Sequence, residues 1–256
     1  VNYHYRLTIQ YKGTQYLGWQ IQPQQAGKTV QGCLNLALTT LSKSENIRTL
    51  GAGRTDAGVH ALGQIAKVSV PLNIPPENLV RALNANLPDD IRVIAAEVCD
   101  ENFMPTVHAI SKEYHYRFTF NRMYTAFQND FIANHPFDLD VAKMNEACKI
   151  LIGEHDFTNF FTEGTAVNST IRTILDCHIS RVPQGEWSFM PEHYVFKIVG
   201  TGFLKQMVRL LVGAVWNVGR GKIELHDLKA ALGPVKTQRL GAVAPPEGLY
   251  MVRVNY

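Results

Sequence analysis

Apolar and polar positions alternate over Tyr3-His4-Tyr5-Arg6-Leu7-Thr8-Ile9. They do so again, almost letter for letter, over Tyr114-His115-Tyr116-Arg117-Phe118-Thr119-Phe120. Alternation among aromatic and β-branched residues predicts strands. After each copy the period lengthens to that of a helix. Val30, Leu34, Leu38 and Leu41 form one stripe behind Thr29, and Val141, Met144, Cys148 and Leu151 form another behind Asp140. Thr29 and Asp140 are the residue types that cap helix N-termini. Both offsets are roughly 110 residues, and two matches at one offset point to two structurally similar halves.

Later segments continue the pattern. Residues 64–70 and 194–199 read as strands. Pro75-Pro76-Glu77 opens a helix carrying Leu79, Val80 and Leu83 that stops near Pro88. Gly200-Thr201-Gly202 leads into a long predicted helix from Phe203 to about Val218. Its core stripe is Phe203, Met207, Leu210, Leu211, Ala214 and Val218, with Lys205 and Arg209 four apart on another face. A shorter helix begins near Glu224 and ends at Gly233-Pro234. The expected class is α+β: two similar sheet-plus-helix domains, residues 1–104 and 105–256, related by a pseudo-twofold. A central cleft between them would be a favoured ligand site.

Composition narrows the function without choosing it. The 256 residues are 46% hydrophobic and 18% charged, as in a folded globular chain. No apolar run approaches the ~18 residues of a membrane span, and the first residues lack the apolar core of a secretion signal. Cys33, Cys99, Cys148 and Cys177 are widely spaced with no C-x-x-C pair, which disfavours zinc and fits reduced thiols in the cytoplasm. Histidines are scattered, and a Walker loop is missing. Gly200-x-Gly202 begins like a dinucleotide fingerprint, but Lys205 stands where the third glycine belongs. Net charge is only +3. Residues 200–256 nevertheless hold eight Lys/Arg against three acids, a place to seek phosphate contacts.

The densest chemical signal is Gly51-Ala52-Gly53-Arg54-Thr55-Asp56-Ala57-Gly58-Val59-His60. Small residues permit tight bends and close approach. On extended backbone Arg54 and Asp56 share a side, so an acid and a base would project together from the bend. Arg209 is a cation among apolar helix residues, either snorkelling to water or partnering a buried carboxylate such as Asp56. Tyr114 and Tyr116 are assigned to opposite faces of their strand, one packed and one offering a flat ring and a hydroxyl.

These residues closely resemble those of the bacterial TruA-type tRNA pseudouridine synthases over nearly the whole chain. The resemblance rests on Tyr11-x-Gly13-Thr14-x-Tyr16-x-Gly18-Trp19-Gln20, on Gly51-x-Gly53-Arg54-Thr55-Asp56-Ala57-Gly58-Val59-His60-Ala61-x-Gly63-Gln64 and on Leu83-Asn84-x-x-Leu87-Pro88. It extends to Lys112-x-Tyr114-x-Tyr116, Gly202-Phe203-Leu204-x-x-Met207-Val208-Arg209 and Ala244-Pro245-Pro246-Glu247-Gly248-Leu249-Tyr250. It implies the pseudouridine synthase fold. The implied reaction converts uridine to pseudouridine at positions 38, 39 and 40 of the tRNA anticodon stem-loop, in the cytoplasm, by a homodimer without metal or organic cofactor. In that family the aspartate matching Asp56 is the nucleophile, and the tyrosine matching Tyr114 stacks on the target uracil. The arginine matching Arg209 pairs with the aspartate, and the one matching Arg54 helps hold the flipped-out nucleotide. One segment departs: where the family usually reads Phe-His-Ala-Arg-Phe, this chain has Phe103-Met104-Pro105-Thr106-Val107, which removes a basic residue at Thr106. Two other classes fit the residue types less well, an RNA-binding module without chemistry and a hydrolase using Asp56 as base.

Overall fold

The computed structural model describes residues 2–22, 25–45, 47–120, 126–164, 167–185 and 190–256. The chain is α+β, with mostly antiparallel strands, and divides into two compact units. One comprises Val1–Ile110 with Tyr250–Tyr256, the other Ser111–Leu249.

In the first unit, β1 (Tyr3–Tyr11) lies antiparallel between β3 (His60–Val70) and β4 (Ile91–Val98). The short β2 (Arg48–Gly51) pairs with the far side of β3. The alternation read in the sequence is the alternation of burial. Tyr5, Leu7, Ile9 and Tyr11 are buried, while Arg6, Thr8 and Gln10 lie on the wetter face. Helix α1 (Val30–Ser42) starts where Thr29 accepts the Gly32 amide at 3.2 Å, satisfying a donor the helix itself cannot. Its Val30, Leu34 and Leu38 are buried. Helix α2 (Pro76–Asn84) buries Leu79 and Leu83 and packs beside β4.

The second unit repeats the core of this order. Strand β5 (Ser111–Phe120) pairs antiparallel with β9 (His193–Gly200), as β1 pairs with β3. Strand β9 pairs with β8 (Ile171–Val182), and β8 with β7 (Gly153–Asp156). The short β6 (Ala133–His135) runs parallel to β5. Helix α3 (Val141–Leu151) is capped by Asp140, which accepts the Lys143 amide at 3.1 Å, and it buries Met144, Cys148 and Leu151. Helix α4 (Met207–Gly219) follows β9 as α2 follows β3, and α5 (Leu225–Ala230) follows behind a Glu224–Asp227 capping box. The two units share a core succession of strand, helix, an antiparallel strand pair and helix (β1, α1, β2–β3, α2 and β5, α3, β8–β9, α4), with β6 and β7 added in the second.

Two elements differ from expectation. Helix α4 begins at Met207, not Phe203, because Gln206 sits in the left-handed region at φ 60° and breaks the helical path before it. Lys205 therefore lies outside the helix and shares no helical face with Arg209. The last strand, β10 (Leu249–Asn255), supplies Tyr250–Tyr256 to the first unit, where it pairs in parallel with β3 through Tyr250–His60 and Met251–Ala61. A parallel pairing so distant in sequence leaves no local mark in the chain.

Candidate active site

Residues 52–59 form a loop joining β2 to β3, and hydrogen bonds hold it from several sides. The Ala52 amide donates to Ile65 O at 2.7 Å, and Gln64 Nε2 donates to Gly53 O at 2.8 Å. The Trp19 amide donates to Thr55 O at 3.1 Å, and the Gly58 amide to Tyr16 O at 3.2 Å. The Tyr11 and Thr55 hydroxyls lie 2.8 Å apart. The glycines of the 13–18 segment allow this contact. A Cβ at Gly13 would fall 1.9 Å from Val59 O. At Gly18, whose φ is +99°, it would fall 2.5 Å from Thr55 O. Two motifs far apart in the sequence, Tyr11–Trp19 and Gly51–His60, are therefore one packed unit.

Burial alternates along the loop: Arg54 exposed, Thr55 buried, Asp56 half-buried. Thr55 is thus turned into the core, flanked by an exposed Arg54 and a half-buried Asp56. Burial pushes the Tyr11 hydroxyl up to about 12, against the opposing pull of its Thr55 and Gln64 neighbours. The departing segment also reaches this loop: Thr106 Oγ1 donates to Gly51 O at 2.9 Å, and Tyr256 Oη holds Pro105 O at 3.0 Å.

Tyr114 and Arg209 belong to the second unit. Tyr114 is 6% exposed, its ring edge-on to Phe203 at 5.1 Å. Tyr116 is buried as well, so the assignment of the two tyrosines to opposite faces is corrected. Residues two apart on a strand point the same way, and β5 buries both. Tyr116 is held by Trp216 at 5.6 Å and donates to Pro245 O at 2.8 Å.

Arg209 is buried within α4 and does not snorkel to water. Its Nε donates to Ala244 O at 2.6 Å, while the Ala244 amide donates back to Arg209 O at 3.1 Å. This two-way anchor fixes the plane of the guanidinium. Burial pushes the Glu247 carboxyl above its ordinary value, and the Arg209 charge opposes that rise. Glu247, Tyr11 and Gln64 were not singled out from sequence. Each lies in a motif of the family resemblance, Ala244–Tyr250, Tyr11–Gln20 and Gly51–Gln64, which gave the signal that could have found them.

A family profile described as tRNA pseudouridine synthase matches residues 7–105 and 147–256. The chain belongs to this pseudouridine synthase family. Proteins named tRNA pseudouridine synthase A resemble it along its length. The one from Lacticaseibacillus casei (strain BL23) is 37% identical over 260 residues, covering 99% of each chain. The one from Anoxybacillus flavithermus (strain DSM 21510 / WK1) is 40% identical over 251 residues, covering 98% of each, and the one from Bacillus pumilus (strain SAFR-032) is 38% identical over 252 residues, again covering 98% of each. The α+β class expected from the sequence agrees with that membership.

Proposed function

We propose that this chain isomerises uridine to pseudouridine at positions 38, 39 and 40 of the tRNA anticodon stem-loop, with Asp56 as the nucleophile. The reaction class, an isomerase acting on tRNA, follows from family membership. The observation that carries the residue assignment is the Asp56 loop itself. It is clamped at both ends and through Thr55, and it carries a half-buried Asp56 two residues after an exposed Arg54.

The chemistry breaks an N-glycosidic bond, turns the uracil and remakes the link through C5. It is redox-neutral and needs only a nucleophile that divides a hard rearrangement into easier steps. The target base first leaves its stack, at a cost of a few kcal/mol, offset by contacts of basic residues to backbone phosphates. In this reading Arg54, exposed two residues before Asp56, holds the extruded nucleotide. Tyr114 supplies an aromatic surface for the uracil, and Arg209 keeps the carboxylate ionised and aimed. The enzyme acts as a homodimer in the cytoplasm, where its tRNA substrate is. The family resemblance supports that placement. No helix among the described residues is long and apolar enough to cross a membrane.

Mapping modified nucleotides in a tRNA transcript with uridine at 38, 39 and 40 tests the site assignment. New pseudouridine confined to these positions is expected; pseudouridine only elsewhere in the tRNA would refute it. Light scattering of the purified protein tests the homodimer, and a monomer with full activity would contradict it.

A further inference from the structure

We propose that the Tyr11–Thr55 hydroxyl bond, beside the Gln64–Gly53 bond, is the positioning device of the catalytic loop, making Tyr11 and Thr55 positioning residues for the carboxylate of Asp56. The proposal rests on the reading of Asp56 as nucleophile and extends it to residues that touch neither substrate nor reacting atoms.

The geometry is specific. Thr55 precedes Asp56 directly and is gripped at two atoms. Its carbonyl accepts the Trp19 amide at 3.1 Å, and its hydroxyl meets the Tyr11 hydroxyl at 2.8 Å. Tyr11 in turn is fixed in two ways besides this bond: its backbone lies on β1, and its ring stacks on Trp19 at 6.2 Å and 29°. Gln64, fully buried on β3, donates its amide to Gly53 O at 2.8 Å and so ties residue 53 to the sheet. A buried hydroxyl pair is costly unless each satisfies the other, and once satisfied it holds a single arrangement.

The Tyr11–Thr55 contact is a hydroxyl–hydroxyl hydrogen bond in which either oxygen can supply the proton. The threonine is held by its hydroxyl as well as by its backbone. A residue pinned inward at 55 constrains its neighbour at 56, so the bond sets where the nucleophile emerges. Displacing a reacting group by about 1 Å costs on the order of 100-fold in rate.

Single-turnover kinetics on a tRNA carrying tritium at uracil C5 test this, with tRNA affinity and thermal unfolding measured on the same proteins. Tyr11→Phe and Thr55→Val are each expected to slow the chemical step by about 10- to 100-fold, with tRNA affinity within about 3-fold of the parent. Thr55→Ser keeps the hydroxyl and restores the rate to within about 3-fold. The double variant Tyr11→Phe/Thr55→Val is expected to be no slower than the worse single one, as for members of one network. Full rates in folded Tyr11→Phe and Thr55→Val would overturn the proposal. So would multiplicative losses in the double variant, or a Thr55→Ser variant as slow as Thr55→Val. Asp56→Asn is the control that separates the two claims. If it turns over normally, the nucleophile assignment fails; if it is dead while Tyr11→Phe is normal, only the positioning bond fails.

Discussion

Arg209 shows what a single residue's surroundings add to its type. In the sequence it is one cation in an apolar helix, equally compatible with snorkelling and with burial. In the structure it is buried, and its Nε is committed to Ala244 O at 2.6 Å. Lysine would keep the charge, lose the fork and leave that carbonyl without its guanidinium donor. Arg209→Lys is therefore expected to lower the single-turnover rate by at least about 10-fold with tRNA affinity little changed. Near-normal turnover would show that charge alone suffices. Gly18 makes a second case. Its φ of +99° and the 2.5 Å a Cβ would leave to Thr55 O mean that Gly18→Ala strains the backbone and pushes on the loop at once. A loss of about 1–3 kcal/mol in denaturant unfolding is expected, and an unchanged midpoint would contradict the packing described. The closeness of Arg54 to Asp56 along the chain was legible because a spacing of two is a local property. Tyr11, Gln64 and Glu247 were not, because their importance lies in contacts made by segments far apart in the chain.

At the scale of elements, local chemistry carried most of the reading. The caps at Thr29 and Asp140 are where the side chains place them, since an N-cap is decided by three or four consecutive residues. Thr29→Ala removes the acceptor for the Gly32 amide and is expected to destabilise the first unit by about 1 kcal/mol. Chemical denaturation measures this, and a change below about 0.3 kcal/mol would argue against the cap. The start of α4 was misplaced for a physical reason. Phe203 continues the apolar period, but it faces Tyr114 from outside the helix, and a left-handed Gln206 separates the two segments. A periodic pattern does not reveal a break at a residue with no turn signature. The Tyr114–Tyr116 assignment erred against the period of two that governs every strand.

For the whole molecule, two units with a common core succession of elements account for the repeat in the sequence, and the placement of β10 shows where that repeat stops being informative. The second unit carries a half-buried histidine at 115 and buried ones at 135 and 193, and burial holds each imidazole below its ordinary value of 6.5. Protons therefore bind the unfolded chain first as pH falls. The stability that these neutral rings confer is complete above about 6.5 and is lost as pH drops through their folded values. Thermal unfolding of the second unit is thus expected to shift downward between about pH 7.5 and 5, with a shallower slope in His193→Gln. A melting temperature flat across that range would contradict the depressed values.

The account as a whole depends on Asp56 being the group that does the chemistry. Release of tritium from tRNA labelled at uracil C5 reads this directly, because forming the carbon–carbon glycosidic link must expel that hydrogen. Wild-type protein is expected to release label in proportion to pseudouridine formed. Asp56→Asn, folded and still binding tRNA, is expected to release none above background. Undiminished release by Asp56→Asn would contradict the central claim, and so would failure of the wild type to release any label from a tRNA that it binds.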